Sequence, residues 1–255
     1  MADAAAEIAL RYFRKEIPID DKQDRSPVTQ ADREIESRLR EMIQRRFPEH
    51  GIIGEEYGST NETAEFIWVI DPIDGTKSFA TGRPLFGTII GLLHEEKPVV
   101  GLIDQAYTKE RWFGVTDKFA THNGETLKVA PPRTLESARL YTGAISMFDG
   151  KNLEAYLALC RASKWVQYSC DCYAYGLLAM GWADVVVEQS LKLYDVAGIV
   201  PIVTGAGGNA NDWSGRGINI DFDGTFIAAS SKNLADDVRR RFLAATEMNT
   251  AARIP

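Results

Sequence analysis

A chain of 255 residues with 45% hydrophobic side chains can bury a sizeable core, as one large domain or two small ones sharing a core, without disulfides. Its formal charge of -7 and lack of a basic tract give a nucleic-acid backbone little to bind, and no run approaches the ~18 to 20 apolar residues of a membrane helix, so neither partner is expected. Cys160, Cys170 and Cys172 cannot all pair, and the C-x-C at 170–172 is too tight for an unstrained bridge, which points to a reducing cytoplasm.

The opening MADAAAEIALRYFRKEI has early acidic residues and no apolar stretch of the kind that drives secretion, and reads as an amphipathic helix over 2–16. Residues 29–48 predict a second helix, with Ile35, Leu39, Ile43 and Phe47 every four positions, Thr29 as N-cap and Pro48 as stop. From Gly51 the texture changes to short apolar runs between turn residues: GIIGEE, FIWVID, LFGTIIGLLH, PVVGLID, RWFGV and LKVA. With hairpin turns expected at 95–97 and at Asn123-Gly124, residues 51–130 predict a largely antiparallel sheet. Past 135, strands and helices alternate through ARLYTG, NLEAYLALCRAS, DCYAYGLLAMG, ADVVVE and YDVAGIVPIVTGAGG to a last helix near 231–247, the pattern of a layered α/β unit. No repeat or low-complexity linker divides the chain, so residues 1–134 and 135–255 are expected as halves of one compact unit.

Residues 66–79 read FIWVIDPIDGTKSF, an apolar strand that ends in two aspartates. Pro72 should force a turn, which would put Asp74 at the start of the next helix and let both carboxylates face one point. The backbone N–H groups of Gly75 and Thr76 then sit at a helix N-terminus, a natural seat for phosphate. Asp71 and Asp74 beside an anion site make sense together only with bound cations; taken alone, D-x-x-D also fits a turn in which Asp74 merely caps a helix. Further carboxylates lie in similar contexts: Glu55 and Glu56 after GIIG, Asp32 opening the second helix, and Asp195 at an N-cap position before VAGIVPIV. Such hard oxygen ligands suit Mg2+, with Mn2+ as a substitute, and the scattered His50, His94 and His122 show no zinc-binding spacing.

The run GEE, then WVIDPIDGTKSF, then EQSLKLYDVAGIVPIVTGAGG at 188–208 resembles the inositol monophosphatase family of metal-dependent, lithium-sensitive phosphatases across nearly the whole chain. Tyr194 departs from the tryptophan usual before the aspartate, a change expected to affect packing rather than ligation. The resemblance implies an α+β fold, a layered αβαβα sandwich of the inositol monophosphatase and fructose-1,6-bisphosphatase type, and a homodimer. It implies that Glu55, Asp71 and the Ile73 carbonyl hold a first metal, that Asp71, Asp74 and Asp195 hold a second, and that Asp32 supports a weaker third and hydrogen-bonds Thr76. Glu55 and Thr76 would orient the attacking water while Asp74 and the Gly75 and Thr76 amides border the phosphate. Paired ions of this kind activate water on one side and stabilise the leaving alkoxide on the other, without a covalent enzyme intermediate.

The ester itself has to be read from the leaving-group side. Where family members often carry small residues, YSCDCYAYGLLAMG at 168–181 places Asp171, and an acidic residue there suits a cationic leaving group. With DGTKSFATGRPLFGT and GAGGNANDWSG, this resembles the histidinol-phosphate phosphatase branch, in which Asp171 and Glu188 would bind the histidinol ammonium and imidazole. Asp171 could equally cap the helix CYAYGLLAMG, and Glu188 could be a surface carboxylate at a strand end. Inositol, nucleotide and sugar phosphates remain alternatives, as does a catalytically silent ligand-binding module. One rival motif is DFDGT at 221–225, which matches the D-x-D-G-T nucleophile of haloacid-dehalogenase-type phosphatases. That motif opens a long α/β domain, however, and INIDFDGTFIAAS fits a hairpin turning at Asp223-Gly224 instead.

Overall fold

Residues 1–16, 19–21 and 27–251 are described by the structure, a computed structural model; residues 252–255 of the expected second half lie outside them. The chain opens with α1 (Ala2–Tyr12), the short antiparallel pair β1 (Ile19–Asp21) and β2 (Pro27–Thr29), and α2 (Gln30–Arg46). Thr29 caps α2 as expected, its side chain accepting the Ala31 N–H in a box closed by Asp32. Next come β3 (Gly51–Gly54), β4 (Gly58–Thr60), β5 (Phe66–Asp74), α3 (Thr76–Ala80), β6 (Gly87–His94), β7 (Lys97–Gln105), β8 (Glu110–Val115), β9 (Phe119–His122) and β10 (Glu125–Thr126). These strands make an eight-stranded sheet in the order β10-β9-β8-β7-β6-β5-β3-β4, antiparallel except between β3 and β5. The two expected hairpins form, with left-handed φ at Glu95 and Glu96 (47° and 66°) and at Asn123 and Gly124 (48° and 88°).

The second half runs β11 (Arg139–Thr142), α4 (Gly150–Ala162), β12 (Trp165–Tyr168), α5 (Tyr173–Ala179), β13 (Val185–Glu188), α6 (Leu193–Val196), α7 (Ile199–Gly205), β14 (Asn209–Asn211), β15 (Phe226–Ala229) and α8 (Lys232–Ala251). Its five strands form a mixed sheet in the order β12-β11-β13-β15-β14. Burial sorts the elements into layers. Ile8, Ile35, Leu39 and Ile43 of α1 and α2 pack on Ile52, Ile70 and Ile90 of the large sheet. Leu178 of α5 and Ile199 and Ile202 of α7 fill the space between Ile89, Ile103 and Trp112 on one side and Val186, Phe226 and Ala228 on the other. Tyr156 and Leu159 of α4 and Val238 and Phe242 of α8 cover Leu140, Val185 and Ile227 from outside. The result is the αβαβα sandwich expected. Gly91 and Gly101 are cross-strand partners whose missing side chains let the backbone at 197–198 lie directly on the sheet, which fixes α6 over β5 and β6. Among the described residues no helix is long and apolar enough to cross a membrane.

Three local expectations are corrected. β5 does not stop at Asp71: it continues to Asp74 through a register irregularity, where Pro72 is tolerated and its carbonyl accepts the Thr88 hydroxyl at 2.8 Å. LKVA is no strand; Leu127 and Val129 are apolar because they pack against the middle helical layer, each held by a single backbone bond. No hairpin turns at Asp223-Gly224, because β15 is already flanked by β13 and β14 and has no edge left to pair. Asp223 instead closes a local turn, accepting the Thr225 N–H and hydroxyl and an Arg216 N–H. Asp221 is exposed. The DFDGT stretch thus lacks the strand end that a dehalogenase nucleophile needs.

Candidate active site

Because β3 and β5 are parallel, their C-terminal ends lie side by side, and the Glu55 N–H donates to the Ile70 carbonyl at 3.2 Å. Glu55 therefore leaves the sheet next to Asp71. Gly75 follows Asp74 with φ 80°, a conformation that costs an L side chain but turns the chain at once into α3. The helix cap is Gly75 and not Asp74, whose carboxylate accepts the Cys172 N–H instead. Asp195 reaches the same point from the opposite side. It is not an N-cap, as its sequence position suggested: Lys192 occupies that place, and Asp195 is the third residue in, its Oδ2 accepting the Lys192 N–H at 2.6 Å. Ligand atoms of Asp71, Asp74 and Asp195 all lie within 4.8 Å of one another.

Gathering these groups is electrostatically costly. Burial, and then the charges of Glu55, Asp74 and Asp195, raise the Asp71 carboxyl well above its ordinary range. Asp74 is raised likewise, by burial and then by Asp171 and Asp195. Burial drives Asp195 up to about 7 against the opposing pull of the Lys192 N–H. Asp71 Oδ1 is buried with no donor among the described residues. An acidic cluster with an orphaned buried oxygen fits a hard divalent cation and no residue of the cluster supplies its charge.

Asp32 is buried at 1% exposure, and burial raises its carboxyl although Thr29 opposes the shift. Its Oδ2 accepts both the backbone N–H (2.9 Å) and the hydroxyl (2.5 Å) of Thr29, while Oδ1 has no donor among the described residues. The expected bond to Thr76 is replaced: Thr76 Oγ1 donates to the Ile73 carbonyl at 3.1 Å, within the turn that carries both.

A cavity of about 100 Å3 adjoins the cluster, lined by Asp74, Asp195, Asp171 and Glu188 together with Gly143, Tyr175 and Cys172. Asp171 does not cap α5. That place belongs to Cys172, and Asp171, at φ 46°, instead accepts the Ser78 hydroxyl at 2.6 Å and lies against Gly75. Burial raises its carboxyl, with Ser78, Arg83 and Lys77 opposing. Arg83 is exposed and ties the same loop by donating to the Ser169 carbonyl at 3.1 Å. Glu188 is no surface carboxylate either. It is 6% exposed, accepts the Gly143 N–H (2.5 Å) and the buried Tyr175 hydroxyl (2.6 Å), and is still pushed by burial up to about 7. Ser78, Gly143 and Tyr175 were missed from sequence. Only Tyr175 left a signal, since a tyrosine on a helix as apolar as YAYGLLA must find its hydroxyl a buried partner. Asn209 and Asp212 are absent from the cavity lining, and Asp212 closes a turn with Ser214 and Arg216.

A model of the inositol monophosphatase family matches residues 1–247. The chain belongs to that family. It is 42% identical to the chloroplastic bifunctional phosphatase IMPL2 of Arabidopsis thaliana over 97% of this chain and 73% of that one. It is 34% identical to the histidinol-phosphatase of Chlorobaculum parvum over 92% of each. Among solved structures, an inositol monophosphatase from Zymomonas mobilis superposes with a TM-score of 0.87 at 40% identity, over 95% of this chain and 94% of that one. The family hydrolyses phosphate monoesters with Mg2+, and the protein is a phosphoric monoester hydrolase. Tyr194, its departure from the family's usual tryptophan, packs beside Ile67, Val69 and Leu93.

Proposed function

We propose that the protein hydrolyses L-histidinol phosphate to L-histidinol and phosphate, a step of histidine biosynthesis, without a covalent enzyme intermediate. The observation that carries the substrate is the cavity beside the Asp71, Asp74 and Asp195 cluster: Asp171 and Glu188 line it, and among the described residues no lysine, arginine or histidine does. Histidinol presents an ammonium and an imidazole, which two buried carboxylates recognise by charge-assisted hydrogen bonds, whereas an inositol offers only hydroxyls. The histidinol-phosphatase relative at 34% identity supports the same choice.

In this reading Glu55, Asp71 and the Ile73 carbonyl hold one Mg2+, Asp71, Asp74 and Asp195 hold a second, and Asp32 supports a third, with Mn2+ accepted by the same oxygen donors. Bound there, the ions supply Lewis acidity to the ester oxygens and lower the pKa of water at the site. Glu55 and the Thr76 hydroxyl would orient the attacking water toward phosphorus. Asp74 and the Gly75 and Thr76 amides flank the phosphate, since the first N–H groups of a helix have no intrahelical acceptor. Asp171 and Glu188 hold the amine and the ring. Residues 1–134 carry the phosphate side of the site, and residues 135–255 bring Asp171, Glu188 and Asp195 to it. The reading includes a homodimer in a reducing cytoplasm, the latter supported by three free cysteines.

A second reading, an inositol or sugar phosphate, is favoured by the 40% identity to an inositol monophosphatase. Phosphate release with Mg2+, measured on L-histidinol phosphate, inositol 1-phosphate, a nucleoside monophosphate and fructose 1,6-bisphosphate, separates them. L-Histidinol phosphate is expected to have a kcat/KM at least about tenfold above the others, worth about 1.4 kcal/mol of transition-state binding. A higher value for inositol 1-phosphate would remove histidinol phosphate as the substrate.

A further inference from the structure

Helix α2 buries three charged residues at successive four-residue steps, Asp32, Glu36 and Arg40. Asp32 belongs to the site already described. Glu36 and Arg40 do not touch it, yet the Glu36 side chain is 0% exposed and that of Arg40 is 11% exposed. Their contacts converge on a single turn, the one that carries Glu55. Glu36 Oε2 accepts the Glu56 N–H at 2.6 Å, and Oε1 accepts the Tyr57 N–H at 3.2 Å together with Arg40 Nε at 2.8 Å. Arg40 donates in turn to the Gly58 carbonyl. The residue before Glu55 has to be glycine for this to happen, because a Cβ at Gly54 would overlap the Glu36 carboxylate and lie 2.8 Å from an Arg40 nitrogen.

We propose that Glu36 is a positioning residue for Glu55, its carboxylate holding the 56–57 backbone so that the Glu55 side chain is delivered to the Asp71 cluster in one orientation. The inference rests on the ligand role proposed for Glu55. A buried ion pair is a poor source of stability, since apolar side chains of the same bulk serve as well or better. What an apolar pair cannot do is accept two backbone N–H groups. Glu55 is held on its N-terminal side by the rung to Ile70 and on its C-terminal side by Glu36, so both peptides around it are fixed. Asp32 stands one helical turn before Glu36, and α2 therefore sets Asp32 and Glu55 in a common frame. A displacement of roughly 1 Å at a reacting group costs on the order of 100-fold in rate.

The test uses the metal-free full chain titrated with Mn2+, with free Mn2+ followed by its electron paramagnetic resonance signal, alongside Mg2+-dependent phosphate release and far-UV circular dichroism. Glu36→Gln, which keeps only one of the two acceptor oxygens and so sets an amide N–H against at least one of the 56–57 backbone N–H groups, is expected to weaken Mn2+ binding about tenfold and lower kcat by at least about tenfold. KM for the ester should stay within about threefold of the wild type. The double variant Glu36→Leu with Arg40→Leu keeps the buried volume but frees the turn, and should lose Mn2+ affinity alike if the single variant does not fold. Glu55→Gln serves as the reference. If Glu55→Gln loses Mn2+ affinity while the folded Glu36 variants bind and turn over as the wild type does, the positioning role is overturned. Lowered stability with unchanged Mn2+ affinity would overturn it too, by assigning Glu36 to structure alone. If Glu55→Gln itself binds Mn2+ normally, the ligand role of Glu55 fails.

Discussion

Glu188 gives the most direct check on the electrostatics of the leaving-group cavity. Burial raises it to about 7 from an ordinary 4.5, and the two hydrogen bonds from Tyr175 and Gly143 only partly offset that cost. Burial thus favours the protonated carboxyl over the ionised one by about 3 kcal/mol relative to the unfolded chain. The sign follows from the folded state holding the proton more tightly than the unfolded state. The contribution is fully present below pH 4.5 and is lost as pH rises through about 7. Between pH 5.5 and 8.5 about 2 kcal/mol of it should disappear. Urea denaturation of the metal-free protein across that range measures the loss, and Glu188→Gln isolates it, because the metal-site carboxylates titrate in both proteins. The glutamine has only one acceptor for the two donors, which lowers stability by a pH-independent amount. The decisive quantity is therefore the slope. The variant profile should be flatter by about 2 kcal/mol over the window. Parallel profiles would refute the claim that Glu188 is buried and easily protonated.

The acidic cluster makes a complementary prediction. Asp71→Asn should fold, lose at least about 1,000-fold in Mg2+-dependent turnover, and melt above the wild type when metal-free at pH 8, because it removes the most deeply buried like charge. Wild-type turnover, followed by phosphate release, would show that Asp71 is no ligand. Gly75→Ala should cost about 1 to 2 kcal/mol in urea denaturation for the left-handed φ alone. Its Cβ would also lie 2.8 to 3.0 Å from atoms of the Asp171 side chain, so kcat/KM for a cationic ester should fall more than that for inositol 1-phosphate.

The carboxylates of the cluster could be read from sequence because each sits where a local pattern is broken: a buried strand does not end in two aspartates without a reason, and a glutamate after GIIG repeats the anomaly. The exact local setting could not. Pro72 was expected to end β5, but a bulge absorbs it, and bulges depend on the neighbouring strand, here β6, rather than on the residue itself. Asp171 and Glu188 were open between surface and pocket because their deciding partners, Ser78 and Gly143, lie 93 and 45 residues away. The N-cap position, the competing local explanation, failed at Asp171, Asp74 and Asp195 alike, although Asp195 still closes a capping box from the third helical residue. In each case the carboxylate is turned to a tertiary or neighbouring donor, and the cap position falls one to three residues away.

Helix α2 shows why periodicity alone was not enough. Ile35, Leu39 and Ile43 mark one stripe and Asp32, Glu36 and Arg40 the stripe beside it, both at four-residue spacing and both buried. A hydrophobic pattern identifies the first stripe as core and consigns the second to solvent. Residues one position apart on a helix differ by only about 100°, so a helix wedged between a sheet and a turn buries both faces. The apolar stripe anchors the helix on the sheet, and the charged stripe spends that anchorage on geometry. Asp32 faces the site from the first turn, and Glu36 with Arg40 fixes the peptide units around Glu55. Because stripe and anchor share one rigid element, a substitution that shifts α2 along its axis would move Asp32 and Glu55 together. One that removes Glu36 would separate them.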